Sequence, residues 1–209
     1  MNRIILAPVL ALCLLGPLAA NADLIISDIG LDVHESTYVI DGFDSATSAY
    51  TQFLSETEVC SKSLTAVYKV GSVQSCGGPN GDISTLISVT FSADQLVLWD
   101  FGADWGRGGV IFNVGLPADQ SPGTPYVGDY WWAYDWNHED VISFGTVPVS
   151  ITLGLLGFEG CCGGGMSLRY SLDQGETWDI AKVNVPEPGT LALLGLGLAG
   201  LGFSRRNKA

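Results

Sequence analysis

The sequence predicts an all-β chain, an antiparallel β-sandwich of jelly-roll-like type, with a signal peptide before it and a transmembrane helix after it. Three observations predict this. Short runs rich in β-branched and aromatic residues recur through the middle of the chain, separated by Gly, Pro, Asn and Asp. No long amphipathic helical pattern interrupts them. Uncharged apolar runs occupy both ends.

The first element is residues 1–22, "MNRIILAPVLALCLLGPLAANA". Arg3 supplies a short positive region, an apolar run follows to about Ala20, and Ala20-Asn21-Ala22 is a small-residue cleavage site. A buried core helix is a poorer reading, because Pro8 and Pro17 would remove helical hydrogen bonds and clash with the preceding turn. The expectation is a secretory signal peptide cut before Asp23, with the export machinery of the Sec type and signal peptidase as partners.

The second element is the domain 23–184. Its expected strands are 64–73, 83–92, 95–102, 108–116, 129–136, 140–145, 147–160, 166–172 and 177–185, short segments at the spacing of a sandwich rather than of alternating strands and helices. Residues 42–60, "GFDSATSAYTQFLSETEVC", read either as a loop or as a single short helix. The chain of 209 residues carries a formal charge of -13, and between residues 23 and 186 five bases face 21 acids. Such a surface repels phosphate backbones, which excludes nucleic-acid binding as a main role.

Export places Cys60, Cys76, Cys161 and Cys162 in an oxidising compartment, where disulfides persist. These cysteines can pair in three ways. Cys60–Cys76 closes a short loop and is favoured, with Cys161 and Cys162 bonded to each other or left as thiols, and the crossed arrangement remains open. Adjacent cysteines lack the gap of a zinc knuckle, and no base flanks them to lower a thiol pKa.

The densest chemistry lies in "DYWWAYDWNHED". Alternation along a strand would put Tyr130, Trp132, Tyr134 and Trp136 on one face as core, leaving Trp131 on the other as an exposed platform. Candidate glycan-binding residues are Trp131, which would stack on a sugar ring, with Asp135, Asn137 and Glu139 to accept hydroxyl hydrogen bonds. Oxygen-rich loops around Asp100, Asp104, Asp135 and Asp140 are candidate calcium ligands, against the simpler reading that these acids keep the surface solvated. No other cofactor is expected. No catalytic residue is assigned, since the chain lacks a G-x-S-x-G elbow, a P-loop or H-E-x-x-H.

Ser171, Asp173, Gly175, Thr177 and Trp178 resemble the S-x-D-x-G-x-T-W pattern of the Asp-box, a hairpin turn of sialidases and other secreted β-proteins. The resemblance implies that the Asp side chain binds the turn backbone, Gly supplies a positive φ and Trp packs beneath. One such turn is structural and no evidence of catalysis.

The third element is residues 185–209. Pro186-Glu187-Pro188 fixes an extended, unpaired backbone, Gly189–Phe203 carries no charge, and Arg205-Arg206 follows as a basic stop. At a rise of 1.5 Å per residue the apolar run reaches roughly 22 Å, against a hydrocarbon core of roughly 30 Å. The expectation is nevertheless a transmembrane helix that anchors the protein in the membrane before processing. This tail resembles the PEP-CTERM sorting signal of Gram-negative envelope proteins, also labelled an ice-binding protein C-terminal domain, a label that describes the tail alone. The resemblance implies recognition at Pro-Glu-Pro by an exosortase, a membrane-embedded cysteine protease-transpeptidase, in bacteria that make exopolysaccharide and biofilm. Cys161-Cys162-Gly163-Gly164 is similar to a Cys-Cys-x-Gly signature found in a group of such proteins.

Together these readings predict an exported, exosortase-sorted protein of the envelope or extracellular matrix, membrane-anchored, at the cell surface or secreted. Its sandwich would be structural or carbohydrate-binding, with exopolysaccharide as partner. A secreted glycan-active hydrolase is the alternative.

Overall fold

The structure, a computed structural model, describes residues 24–42, 44–71, 75–77, 81–114, 123–161 and 165–184. The signal peptide, the sorting signal with Pro186, Glu187, Pro188, Arg205 and Arg206, and Cys162 lie outside the described residues.

The chain opens with β1 (Leu24–Glu35), which leads to helix α1 (Ala46–Ser55), β2 (Thr57–Ser63), the short β3 (Val70–Gly71) and the long β4 (Ile83–Ala93). There follow β5 (Val97–Gly102), β6 (Asp104–Trp105), β7 (Gly109–Val114), β8 (Thr124–Tyr126) and β9 (Tyr130–Trp131). The last strands are β10 (Val141–Thr146), β11 (Val149–Glu159), β12 (Gly165–Ser171) and β13 (Asp179–Ile180). All pairing is antiparallel. A six-stranded sheet runs β2-β1-β4-β11-β7-β8, a five-stranded sheet runs β10-β5-β12-β13 with β3 also on β12, and β6 pairs with β9 apart from both. The chain crosses between the large sheets from β4 to β5, from β10 to β11 and from β11 to β12, so spatial neighbours come from distant sequence, as in jelly rolls.

Period-2 alternation explains which side chains meet. On β4, Ile83, Ile87, Val89 and Phe91 face the inter-sheet core, while Leu86 faces the other way. On β5, Val97, Trp99 and Phe101 enter the same core, which leaves Asp100 and Gly102 on the outer face of the five-stranded sheet. Trp99 tilts against Phe91 across the core with ring centroids 5.0 Å apart.

The segment 42–60 resolves into a helix followed by a strand. Ser45 caps α1: its Oγ accepts from the Ser48 N–H at 3.1 Å, and Ser48 Oγ accepts in return from the Ser45 N–H at 2.9 Å. Ala46, Ala49 and Phe53 fall on one helical stripe and pack on Leu86, Phe112 and Leu156 of the six-stranded sheet, forming a second apolar layer. Cys60 on β2 is disulfide-bonded to Cys76, which ties the edge strand to the loop after β3. A loop of this length contributes about 3 kcal/mol by restricting the unfolded chain.

The expected membrane span requires correction. Among the described residues no helix is long and apolar enough to cross a membrane. The helix α1 has 10 residues. Gly189–Phe203, which carried the expectation, lies outside the described residues, and its reach of roughly 22 Å is short of the roughly 30 Å core. We therefore assign no transmembrane helix and no membrane contact through one.

The strand expected over 129–136 also changes. Only Tyr130 and Trp131 are extended, and Ala133 and Tyr134 take left-handed backbone angles, φ 54° and 59°. A strand cannot continue through two such residues, so the face assignment from alternation fails beyond Trp131. Among the described residues of the strand expected over 64–73, only Val70 and Gly71 are in β3, and Ala66 makes an isolated bridge to Lys182.

Candidate functional site

The β6–β9 ribbon sets Asp104 directly opposite Trp131. The Trp131 indole is 59% exposed. Its backbone N–H donates to Asp140 Oδ2 at 3.0 Å, and its ring meets the edge of His138 at a centroid distance of 6.2 Å. Beside it opens a cleft of about 430 Å³ lined by Asp104, Gly106, Arg107, Asp129, Glu159 and Cys161, among others.

Three carboxylates share this cleft. Glu159 is buried and held at the end of β11, where Oε2 accepts from the Gly106 N–H at 3.0 Å and Oε1 from the Gly160 and Cys161 N–H groups at 2.9 and 3.1 Å. Burial, with repulsion from Glu159 and Asp129, pushes the Asp104 carboxyl up to about 6. Arg107 does not neutralise them: its Nη2 pairs with Asp82 at 2.6 Å and its Nη1 donates to the Ser36 carbonyl at 3.2 Å. The arrangement offers an exposed indole face beside carboxylate acceptors, the combination that holds a sugar ring and its hydroxyls.

The structure regroups the residues read from the sequence. Trp131 stands at the cleft, but Asp135, Asn137 and Glu139 do not line it. Asp135 Oδ1 instead accepts from Asn137 N and Nδ2 at 2.9 and 3.2 Å, a local turn. Asp129, which alternation places on the face of Trp131, and Glu159, unmarked in the sequence, take their place; only the apolar alternation of β11 ending at an acid hinted at Glu159.

The four acids considered for calcium are dispersed among separate tasks. Asp100 is buried and accepts from Arg169 Nε and Nη2 at 3.0 and 2.7 Å and from Ser143 Oγ at 2.6 Å. Asp104 lies in the cleft, Asp135 in its turn, and Asp140 on the Trp131 N–H. Among the described residues no group of three or more His, Cys, Asp or Glu side chains is placed to hold a metal.

The turn after β12 is built by its side chains. Asp173 Oδ1 accepts from the Thr177 N–H at 2.9 Å and from Ser171 Oγ at 2.7 Å, and Asp173 Oδ2 accepts from Thr177 Oγ1 at 2.5 Å. These bonds, the Thr177 hydroxyl foremost, hold the Asp173 carboxyl down at about 2. Gln174 and Gly175 take positive φ, and Trp178 Nε1 donates to the Gly175 carbonyl at 3.1 Å. Trp178 then stacks on the Arg169 guanidinium at 4.5 Å, and Trp136 stacks on it at 4.4 Å. Trp132 is buried over Gly102, where a Cβ would sit 2.3 Å from the indole, and its Nε1 donates to the Gly165 carbonyl at 2.8 Å. Cys161, exposed at the cleft, is disulfide-bonded; Cys162 lies outside the described residues.

No curated protein matches the chain in sequence. Among solved structures, the A domain of epithelial adhesin 9 from Candida glabrata, in complex with Galβ1-3GlcNAc, has 11% identity and a TM-score of 0.44, covering 77% of this chain and 90% of that one. The same adhesin domain with Galβ1-4GlcNAc has 12% identity, a TM-score of 0.44 and the same coverage. The PA14 domain of the antifreeze protein MpAFP has 11% identity and a TM-score of 0.44, covering 77% and 89%. The antiparallel sandwich is assigned from the strand pairing itself. Residues 184–206 match the PEP-CTERM protein-sorting motif, and the chain thus carries, near its C-terminus, the tag of an exported, exosortase-sorted protein.

Proposed function

We propose that this is an exported matrix or envelope protein whose β-sandwich binds carbohydrate without turning it over, at the cleft beside Trp131. The supporting observation is that indole, 59% exposed at the mouth of a cleft of about 430 Å³ with Asp104, Asp129 and Glu159 in its walls. What supports the reading is the combination: an aromatic ring with one face in solvent beside carboxylates that can accept hydroxyl hydrogen bonds. In this reading residues 1–22 are removed on export from a Gram-negative cell and 23–184 are the working domain. Residues 185–209 are the signal that exosortase reads at Pro186, Glu187 and Pro188, with Arg205 and Arg206 as the basic stop.

A glycan array probed with the exported protein, paired with a reducing-end assay on each bound glycan, tests the proposal. Binding without release of reducing ends is expected. Release of reducing ends would replace it with the hydrolase reading, and Trp131→Ala binding as well as wild type would move the site elsewhere.

A further inference from the structure

The outer face of the five-stranded sheet carries chemistry opposite in sign to the cleft. Five bases lie between residues 24 and 184: Lys62, Lys69, Arg107, Arg169 and Lys182. Arg107 is paired with Asp82, and Lys62 Nζ donates to the Ser75 carbonyl. The other three are gathered on one face, where Arg169 is already paired with Asp100 and covered by Trp136 and Trp178, and Lys69 and Lys182 carry the charge. Arg169 of β12 sits opposite Ile180 of β13, while the intervening Leu168 and Ala181 are buried in the core. Alternation therefore turns Arg169 and Lys182 outward together. Lys182 bridges to Ala66, from which the chain runs through buried Val67 to Tyr68 and Lys69.

Rings accompany these charges. Lys69 Nζ lies 5.4 Å from the centroid of Tyr68 and 5.0 Å from that of Tyr134, which are 55% and 54% exposed. Among the described residues neither Lys69 nor Lys182 is in an ion pair. The backbone is held in unfavourable angles to present them. Lys69 (φ 50°), Ala133 (54°) and Tyr134 (59°) are left-handed, a conformation that residues other than glycine adopt uncommonly. The Lys69 N–H is fixed by Ser167 Oγ at 2.8 Å, and Tyr134 lies over Gly165, where a Cβ would meet its Oη at 2.3 Å.

We propose that this face binds an anionic polysaccharide whose rings carry carboxylates, sugar faces stacking on Tyr68 and Tyr134 while the Lys69 ammonium meets a carboxylate. Charge complementarity selects this occupant. The cleft beside Trp131 repels a uronate chain, whereas this face offers the Lys69 ammonium between two exposed rings. The acidity of the domain as a whole disfavours nucleic acid, whose strands each carry about one charge per 3.4 Å. The inference rests on the reading of the domain as a carbohydrate binder, but uses a surface separate from the cleft.

Calorimetry on the full exported protein with polygalacturonate, its fully methyl-esterified form and oligo-dT tests it, with circular dichroism to confirm that each variant is folded. Polygalacturonate should bind, and esterification, which keeps the rings and removes the charge, should weaken it at least tenfold. Lys69→Gln, at an exposed position, should cost about tenfold, and Tyr134→Ala a similar factor. Trp131→Ala should leave this binding intact. Equal affinity for the esterified chain, an unchanged Lys69→Gln variant, or oligo-dT binding as tight as polygalacturonate would each overturn the proposal. Loss of polygalacturonate binding in Trp131→Ala would place the ligand in the cleft and overturn it too. If neutral glycans fail to bind while polygalacturonate still does, the cleft reading falls and this one stands.

Discussion

The outer faces of the two large sheets are covered in contrasting ways. The six-stranded sheet is sealed by α1, whose Ala46, Ala49 and Phe53 pack on Leu86, Phe112 and Leu156. The five-stranded sheet is covered by the segment after β9, which lays Trp132 over Gly102 and Trp136 over Arg169, with Trp178 also on that guanidinium. A helix with a continuous apolar stripe makes a dry layer and presents little chemistry outward. An irregular aromatic segment satisfies the polar groups beneath it and leaves rings and charges at the surface. Both candidate binding surfaces, Trp131 and the pair Tyr68–Tyr134, flank the irregular cover.

This contrast can be broken at graded cost. Arg169→Met would leave the buried Asp100 carboxylate with Ser143 as its remaining side-chain donor, and removing one partner of such a pair costs about 3–5 kcal/mol. Urea denaturation should show that loss, and adding Asp100→Leu should recover most of it. A single variant as stable as wild type would mean that the aromatic cover holds without its charge pair.

On the helical side, Phe53→Ala should cost about 3 kcal/mol, the low end for a buried Phe because the helix can settle toward the vacated space. Glycan binding at Trp131 should survive it, since the two layers share no side chain in the cleft. Ser45→Ala removes the α1 cap and should cost about 1 kcal/mol. Hydrogen exchange in residues 46–55 should accelerate while that of β12 does not.

A further effect is a pH dependence. The Asp104 carboxyl is raised from 3.8 to about 6 in the folded protein, so the folded state holds that proton more tightly than the unfolded chain does. Its stabilising contribution is complete below about 3.8 and fades as pH rises through about 6. Asp104→Asn should therefore be more stable than wild type at pH 8 and equal to it near pH 3.5. Equal stability at both would show that solvent already relaxes the crowding in the cleft.

The sequence signals behind these regions differ in kind. Strands β4, β5, β7, β11 and β12 were legible because their inward positions are occupied by β-branched and aromatic residues, with glycine or acids at their ends. The strand β1 was not. Its inward residues are Leu24, Ile26, Ile29, Leu31 and Val33, and a bulge between Ile26 and Asp28 moves the set by one position, which destroys the period of two that marks a strand. At "DYWWAYDW" the aromatic content suggests a strand, yet left-handed Ala133 and Tyr134 turn the chain because Trp132 gains a burial site over Gly102. Tertiary packing there overrides local propensity. The exposure of Trp131 follows from the two extended residues that are retained. The cleft as a set was hidden, since Asp104, Asp129 and Glu159 are separated in sequence and converge through pairing of β6 with β9 and through the end of β11.

The most direct test of the central claim is a titration of a neutral oligosaccharide, chosen from the array, into wild-type protein and Trp131→Ala under calorimetry, at matched thermal stability. A sugar ring stacked on that indole predicts at least a tenfold loss of affinity in the variant with no change in melting temperature. Undiminished affinity in a folded Trp131→Ala protein would contradict the assignment of the cleft as the carbohydrate site.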